Sequence, residues 1–144
     1  MHISSKCSIA VHCLLFIHEY SPLTKVTSEL IATSTHINAV TIRNILSSLK
    51  KDGILEVKPG TGGATIICPP GEITLHRVYS AIEPDFAQKL IGVHENPSTH
   101  CPVGSKIHDV LDLSYEKVRA DLAESLKRIT LADVIADYRS LEHS

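Results

Sequence analysis

The 144-residue chain has no tryptophan, and its two phenylalanines and four tyrosines make an aromatic content of only 4%. Proteins that grip single-stranded nucleic acid stack successive bases on aromatic faces, so this composition argues against that class. No apolar run approaches the ~20 residues of a membrane-spanning helix. The opening MHISSKCSIAVHCLLFIHEY carries histidines and a glutamate where a secretory signal needs an unbroken apolar core. A cytoplasmic location and no membrane partner are expected. Cys7, Cys13, Cys68 and Cys101 stand apart without a C-x-x-C pair, which fits neither a secreted disulfide scaffold nor a zinc ribbon. Reduced thiols are expected, with neither a metal nor a cofactor.

What is present describes one domain of ordinary size with an appendage: 43% hydrophobic and 21% charged residues. The net charge of −2 hides an asymmetry, +2 over residues 1–65 and −4 over residues 66–144. The first half is therefore the better surface for a polyanion, and with so few aromatics duplex DNA is the likelier one.

Residues 5–20 hold Ile9, Val11, Cys13, Leu14, Leu15, Phe16 and Ile17 behind Ser4 and Ser5 as N-caps, and read as a largely buried helix followed by Pro22. A short second helix spans Thr27 to Thr33. After Asn38, a good N-cap, Ile42, Ile45, Leu46 and Leu49 recur at i, i+3, i+4 and i+7, a core stripe for a third helix that Gly53 ends. Its other side displays Val40, Thr41, Arg43, Asn44, Ser47 and Lys51, with no acid between Asn38 and Lys51.

Two β-prone runs follow, Ile54–Val57 and Ala64–Ile67, with KPGTGG between them. This is the layout of a hairpin with a loop of about six residues. The glycines do not form a nucleotide P-loop, because neither the G-x-x-x-x-G-K-[ST] spacing nor a following helix is present. Thr74 to Glu83 has helical spacing, and residues 84–101 read as irregular. From Pro102 about 25 residues are helical, with Ile107, Val110, Leu111, Val118, Leu122, Leu126 and Ile129 recurring at three, four and seven. A helix of ~37 Å is too long for the small remaining core to cover, so a second copy is expected to cover it. Thr130 and Asp133 form a capping box for a last helix.

Three helices and then a two-stranded hairpin is the order of a winged helix-turn-helix, so the fold class is mainly α with a small β-hairpin, a DNA-binding domain followed by a long dimerisation helix. In such readers the second helix of the motif offers side chains to base edges in the major groove. Arg43 suits guanine and Asn44 adenine; Val40 and Thr41 suit a thymine methyl or a phosphate, and Asn38 and Ser47 lie on the same element. Ser5, Lys6, Lys50, Lys51 and Lys58 suit phosphates. Gly60, Thr61, Gly62 and Gly63 form a hairpin tip small enough to slide along the sugar-phosphate backbone, although glycines there also serve simply as turn formers. The domains are read as 1–83 for DNA binding, 84–101 as a connecting or sensor loop, and 102–144 for the dimerisation and C-terminal helices.

The sequence resembles the Rrf-two family of bacterial winged-helix transcription regulators nearly end to end. The resemblance rests on Ile3-Ser4-Ser5-Lys6 with Ile9-Ala10, Val26 to Ala32, and Ile45 to Leu55. It continues through Lys58, Gly60, Gly62 and Gly63, Pro70 to Thr74, Val78 to Glu83, and Ile129 to Asp133. It implies a homodimer joined through the long helix, binding an imperfectly palindromic operator and usually repressing. Thr41-Ile42 stands where the family often has Tyr-Leu, and Lys58 where it often has Arg, so base preference does not carry over. Cluster-binding members hold three cysteines before the long helix, where this chain has only Cys101, so no iron–sulfur cluster is expected. His100-Cys101-Pro102-Val103-Gly104 resembles instead a subgroup with one cysteine there. A thiol at a helix start beside a histidine can be oxidisable, or can simply pack at a subunit contact. His94, His100 and His108 near Cys101 are a weak metal candidate.

Two other functions compete with a DNA-binding regulator. A winged-helix adaptor that binds protein rather than DNA would show acids on the third helix or an apolar wing. An enzyme with Cys101 as nucleophile needs a partner histidine and acid, which the sequence does not place, so no enzymatic activity is expected.

Overall fold

Side-chain oxygens set where several helices of this chain begin. In the computed structural model, which describes residues 4–59 and 63–142, α1 spans Lys6–Tyr20, α2 Ser28–Thr35 and α3 Ala39–Lys51. The Thr27 hydroxyl accepts from the Leu30 N–H at 3.1 Å, and Asn38 Oδ1 from the Thr41 N–H at 2.9 Å. Each bond satisfies a donor that the first helical turn would otherwise leave unpaired. At the start of α1 the working cap is Ser4, whose Oγ accepts from the Lys6 N–H, while Ser5 makes no capping bond. Between α2 and α3 the chain turns at His36, in the left-handed region at φ 57°.

Strands β1 (Leu55–Lys58) and β2 (Gly63–Ile66) pair antiparallel, with Leu55 opposite Ile66 and Lys58 opposite Gly63. That register leaves four residues between the strands, fewer than the six expected, because Lys58 and Gly63 join the ladder. Beyond a 3-10 turn at Pro70–Glu72 come α4 (Leu75–Ile82), α5 (Phe86–Leu90), α6 (Ile107–Lys127) and α7 (Leu131–Glu142). The Thr74 hydroxyl caps α4 through the Arg77 N–H at 3.0 Å. The capping box foreseen at Thr130 forms in both directions: its N–H donates to Asp133 Oδ2 at 2.9 Å, and its hydroxyl accepts from the Asp133 N–H at 3.2 Å.

Two expectations are corrected. Residues 84–101 are not wholly irregular, since α5 lies within them and buries Phe86 edge-on against Tyr79 and His76. The long helix starts at Ile107 rather than Pro102, because residues 101–106 are turns closed by Ser105 N–H to Cys101 O at 2.9 Å and Lys106 N–H to Val103 O at 3.1 Å. A side chain at Gly104 would collide with the Ser98 backbone, its Cβ falling 2.4 Å from the carbonyl oxygen.

The core draws on most elements at once: Leu14 and Ile17 of α1, Ile31 of α2, Ile42 and Leu49 of α3, Leu55 of β1, Val78 of α4, and Leu131 and Ile135 of α7. Each such side chain contributes roughly 1.5–3 kcal/mol on burial. This outweighs the few tenths by which Ile and Thr weaken a helix such as α3. Helix α7 packs on α1 and the 3-10 turn, tied by Leu131 N–H to Ile73 O at 2.7 Å, so it shares the core of the N-terminal elements.

Gly63 shows why the wing closes as it does. Its φ is +68°, and a Cβ there would stand 2.8 Å from both N and O of Val26, to which the next residue is bonded through Ala64 N–H to Val26 O at 2.9 Å. Replacing Gly63 with Ala should therefore destabilise the fold by about 2 kcal/mol or more, measured by urea unfolding. Truncating Leu131 to Ala should cost about 2–5 kcal/mol in the same assay, reporting that α7 belongs to this core.

Candidate nucleic-acid interface

Burial of one side of α3 decides what the other side can meet. Ile42, Ile45, Leu46 and Leu49 are no more than 4% exposed, whereas Val40 is 60% exposed and Arg43, Asn44, Ser47, Lys50 and Lys51 are exposed with it; Thr41 is half-buried. The outward side runs between two clefts. One, about 90 Å³, is lined by Lys6, Thr41, Asn44, Ile45, Ser48 and Ile82, and brings the start of α1 beside the first turns of α3. The other, about 280 Å³, is lined by Ser28, Arg43, Leu46, Ser47, Lys50 and Val57, between α2, α3 and β1. A helix raised between two furrows, ~20 Å long and 10–12 Å across, matches the ~12 Å width of the DNA major groove.

The residues expected from the sequence do not all reach this surface. Lys6 shares a cleft with Thr41 and Asn44, and Arg43, Ser47 and Lys50 share the other. Ser5 and Lys51 are exposed, and Lys58 is exposed at the end of β1. Asn38 is committed through its oxygen to the α3 cap. Gly63 is corrected: buried against Val26, it lacks a side chain because the chain packs tightly there, and it is withdrawn from the contact set. Gly60, Thr61 and Gly62 lie outside the described residues. The acid-free face is corrected too, because folding brings Glu29 of α2 to Arg43, whose Nη1 donates to Glu29 Oε1 at 3.0 Å. No scan along α3 alone could find that carboxylate.

Helix α6 packs on α4 and α5. The expected dimerisation residues divide accordingly: Ile107, Leu111, Leu122 and Leu126 are half-buried within the chain, whereas Val110 and Val118 are exposed. Leu113, absent from the sequence-based set because it breaks the heptad spacing, is 73% exposed on the same helix.

The four thiols occupy different environments. Burial pushes Cys7 up to about 11, helped by the charge of Glu83, and pushes Cys13 up to about 12. Cys68 donates to Gly53 O at 3.1 Å. Cys101 is exposed, and the backbone N–H groups of Gly104 and then Val103 favour its thiolate and lower its pKa below the ordinary thiol value. Of the nearby histidines, His108 Nε2 lies 2.7 Å from the His94 carbonyl oxygen, and the His94 and His108 rings meet edge to face. Among the described residues no group of three or more His, Cys, Asp or Glu is arranged to hold a metal ion.

The sequence reading also missed Arg77 and Asp52, which hold the C-terminal end of α3. Asp52 follows that helix as its C-cap, where a negative charge opposes the helix dipole. Arg77 of α4 offsets it with a fork: Nε donates to Asp52 Oδ2 and Nη2 to the Asp52 carbonyl, both at 2.8 Å, while Nη1 reaches Cys68 Sγ at 3.6 Å. Helix α3, the end of the hairpin and α4 thus meet at one guanidinium. Arg77→Lys keeps the charge but cannot make both bonds, and should lower stability by about 1 kcal/mol in thermal or urea unfolding.

With this geometry established, comparison with known proteins is informative. Residues 3–137 match the Rrf2 family profile, described as iron-dependent transcriptional regulator. An iron–sulfur cluster needs several thiolates converging on the irons. The cysteines here do not fit that need: Cys7 and Cys13 are buried in α1, Cys68 is bonded to Gly53, and Cys101 stands alone ahead of α6. The candidate HTH-type transcriptional regulator YwnA of Bacillus subtilis (strain 168) is 38% identical over 133 residues, 92% of this chain and 96% of that protein. A solved structure of a candidate DNA-binding protein is 33% identical with a TM-score of 0.72, covering 91% of this chain and 99% of the other. A candidate transcriptional regulator from Lactobacillus plantarum is 28% identical with a TM-score of 0.75, covering 96% and 95%. The match over nearly the whole chain, on a fold that raises α3 between two clefts, assigns this protein to the Rrf2 family of transcriptional regulators.

Proposed function

We propose that the protein is a homodimer that binds an imperfectly palindromic duplex operator and represses transcription. The observation that carries this reading is the outward side of α3, where Arg43, Asn44, Ser47 and Lys50 project beside Lys6 while the apolar stripe is buried. Arg43 and Asn44 address base edges, with Val40 and Thr41 beside them. Lys6, Lys50, Lys51 and Lys58 bind phosphates, and Ser5 adds a hydroxyl. Glu29 is the acid that a protein-binding adaptor would show here. It is paired with Arg43, and Lys50 and Lys6 add two further cations along the outward side of α3, so the balance favours DNA.

Dimerisation runs through the outer side of α6, where Val110, Leu113 and Val118 are exposed and await cover. Two copies related by a two-fold axis would present two α3 helices to two half-sites. No helix among the described residues is long and apolar enough to cross a membrane, so α6 is not covered by lipid as a span.

Cys101 is the proposed signal input. A peroxide accepting two electrons from its thiolate would leave a sulfenic acid and release hydroxide, at the turn from which α6 departs. Since its pKa is lowered, a larger fraction of Cys101 is thiolate at neutral pH than of a free cysteine; Cys7 and Cys13, raised by burial, stay protonated.

Three measurements test the reading. Arg43→Ala combined with Lys58→Ala should weaken binding to DNA upstream of the protein's own gene at least tenfold in gel shifts, and wild-type affinity should fall steeply with salt; unchanged binding by the double variant sinks the proposal. Leu113→Lys should shift the native mass from dimer to monomer. Iodoacetamide should label Cys101 well ahead of Cys7 and Cys13 in the folded protein, with an inflection below the pH of a free cysteine.

A further inference from the structure

The contact between Glu29 and Arg43 joins the first turn of α2 to the outward side of α3. Both side chains are solvent-exposed, Arg43 at 53% and Glu29 at 71%, so the pair contributes little to stability. Packing of α2 on α3 does not depend on it, since Ile31 and Ile42 are fully buried there. Its position is what matters. Arg43 lines the cleft beside Ser47 and Lys50, and Glu29 is bonded to that arginine.

The geometry of the guanidinium gives that carboxylate a use. An arginine presents five N–H donors in one rigid plane. Glu29 engages Nη1, the corner of the plane that lies outside the edge formed by Nε and Nη2. That edge remains able to make the two parallel bonds that guanine O6 and N7 accept. A guanidinium held at one corner keeps its plane and loses fewer orientations on meeting a base than a free one does.

Resting on the DNA-binding reading above, we propose that Glu29 is a specificity-determining positioning residue, which holds Arg43 with its Nε/Nη2 edge toward the groove so that guanine is read bidentately. Where the duplex offers guanine, Arg43 serves base and carboxylate together. Where it offers another base, the guanidinium held in that orientation meets no matching pair of acceptors. Glu29 therefore favours the operator over non-cognate DNA, and it does so through Arg43.

The test begins by selecting a duplex from random sequence with the wild-type protein and scrambling it as a control. The readout is the ratio of the two dissociation constants for wild type, Glu29→Gln, Arg43→Ala and the double variant. Glu29→Gln keeps the size of the side chain and removes its charge. It should lower the ratio of scrambled to selected dissociation constants about tenfold, mainly by weaker binding to the selected duplex and by tolerance at one guanine position. In the Arg43→Ala background the same change should leave the ratio where it is. A ratio unaltered by Glu29→Gln overturns the proposal while the DNA-binding reading stands. So does an equal fall with and without Arg43, which would mean that Glu29 acts on DNA directly. A wild-type protein that enriches no duplex overturns both.

Discussion

The arrangement depends on one constraint: α3 must keep Ile42, Ile45, Leu46 and Leu49 in the core. A helix advances 100° per residue, so four apolar positions at i, i+3, i+4 and i+7 define one stripe and leave the rest of the circumference to water. Rotating α3 far enough to hide Arg43 or Asn44 would expose isoleucines and bury a charge, and an unpaired buried charge costs several kcal/mol. The polar row is therefore turned outward by exclusion. Its register along the axis is held at the two ends, by the Asn38 cap at the start and by the Asp52–Arg77 fork at the finish.

Electrostatics then refines what packing has set. An acid stands near each end of the outward side of α3: Asp52, whose charge opposes the helix dipole, and Glu29 of α2. Each is matched by an arginine on a different helix, Arg77 from α4 and Arg43 from α3. Both pairs join segments distant in sequence. The first is part of the scaffold, because it binds a backbone carbonyl as well as a carboxylate; the second is an exposed side-chain pair that adds little to stability.

The four cysteines make a similar point about residue type and environment. Two behave as small apolar residues whose thiols burial keeps protonated, one donates to a backbone carbonyl, and one sits in a turn whose N–H groups favour its thiolate. Reactivity follows from which atoms surround the sulfur.

The order of elements was legible from local signals, because periodicity and capping act within a few residues of each other. The α3 stripe, the Asn38 cap, the hairpin and the Thr130–Asp133 box are of this kind. Boundaries shifted where contacts outside the element's own periodicity intervened. Gly63 joined the ladder because it packs on Val26, and the start of α6 moved to Ile107 because the preceding residues close into turns around Ser98 and Cys101. The missing parts of the site, Glu29, Asp52 and Arg77, are invisible to any window on one helix, since each acts across 14 or 25 residues of chain. By itself the sequence determined which face of α3 is apolar, where helices capped by Thr27, Asn38 and Thr130 start, and hence that a polar side of α3 must meet solvent or a ligand. Only the tertiary structure decided which charges stand beside that side, because Coulombic contacts depend on separation in space and folding alone sets that separation.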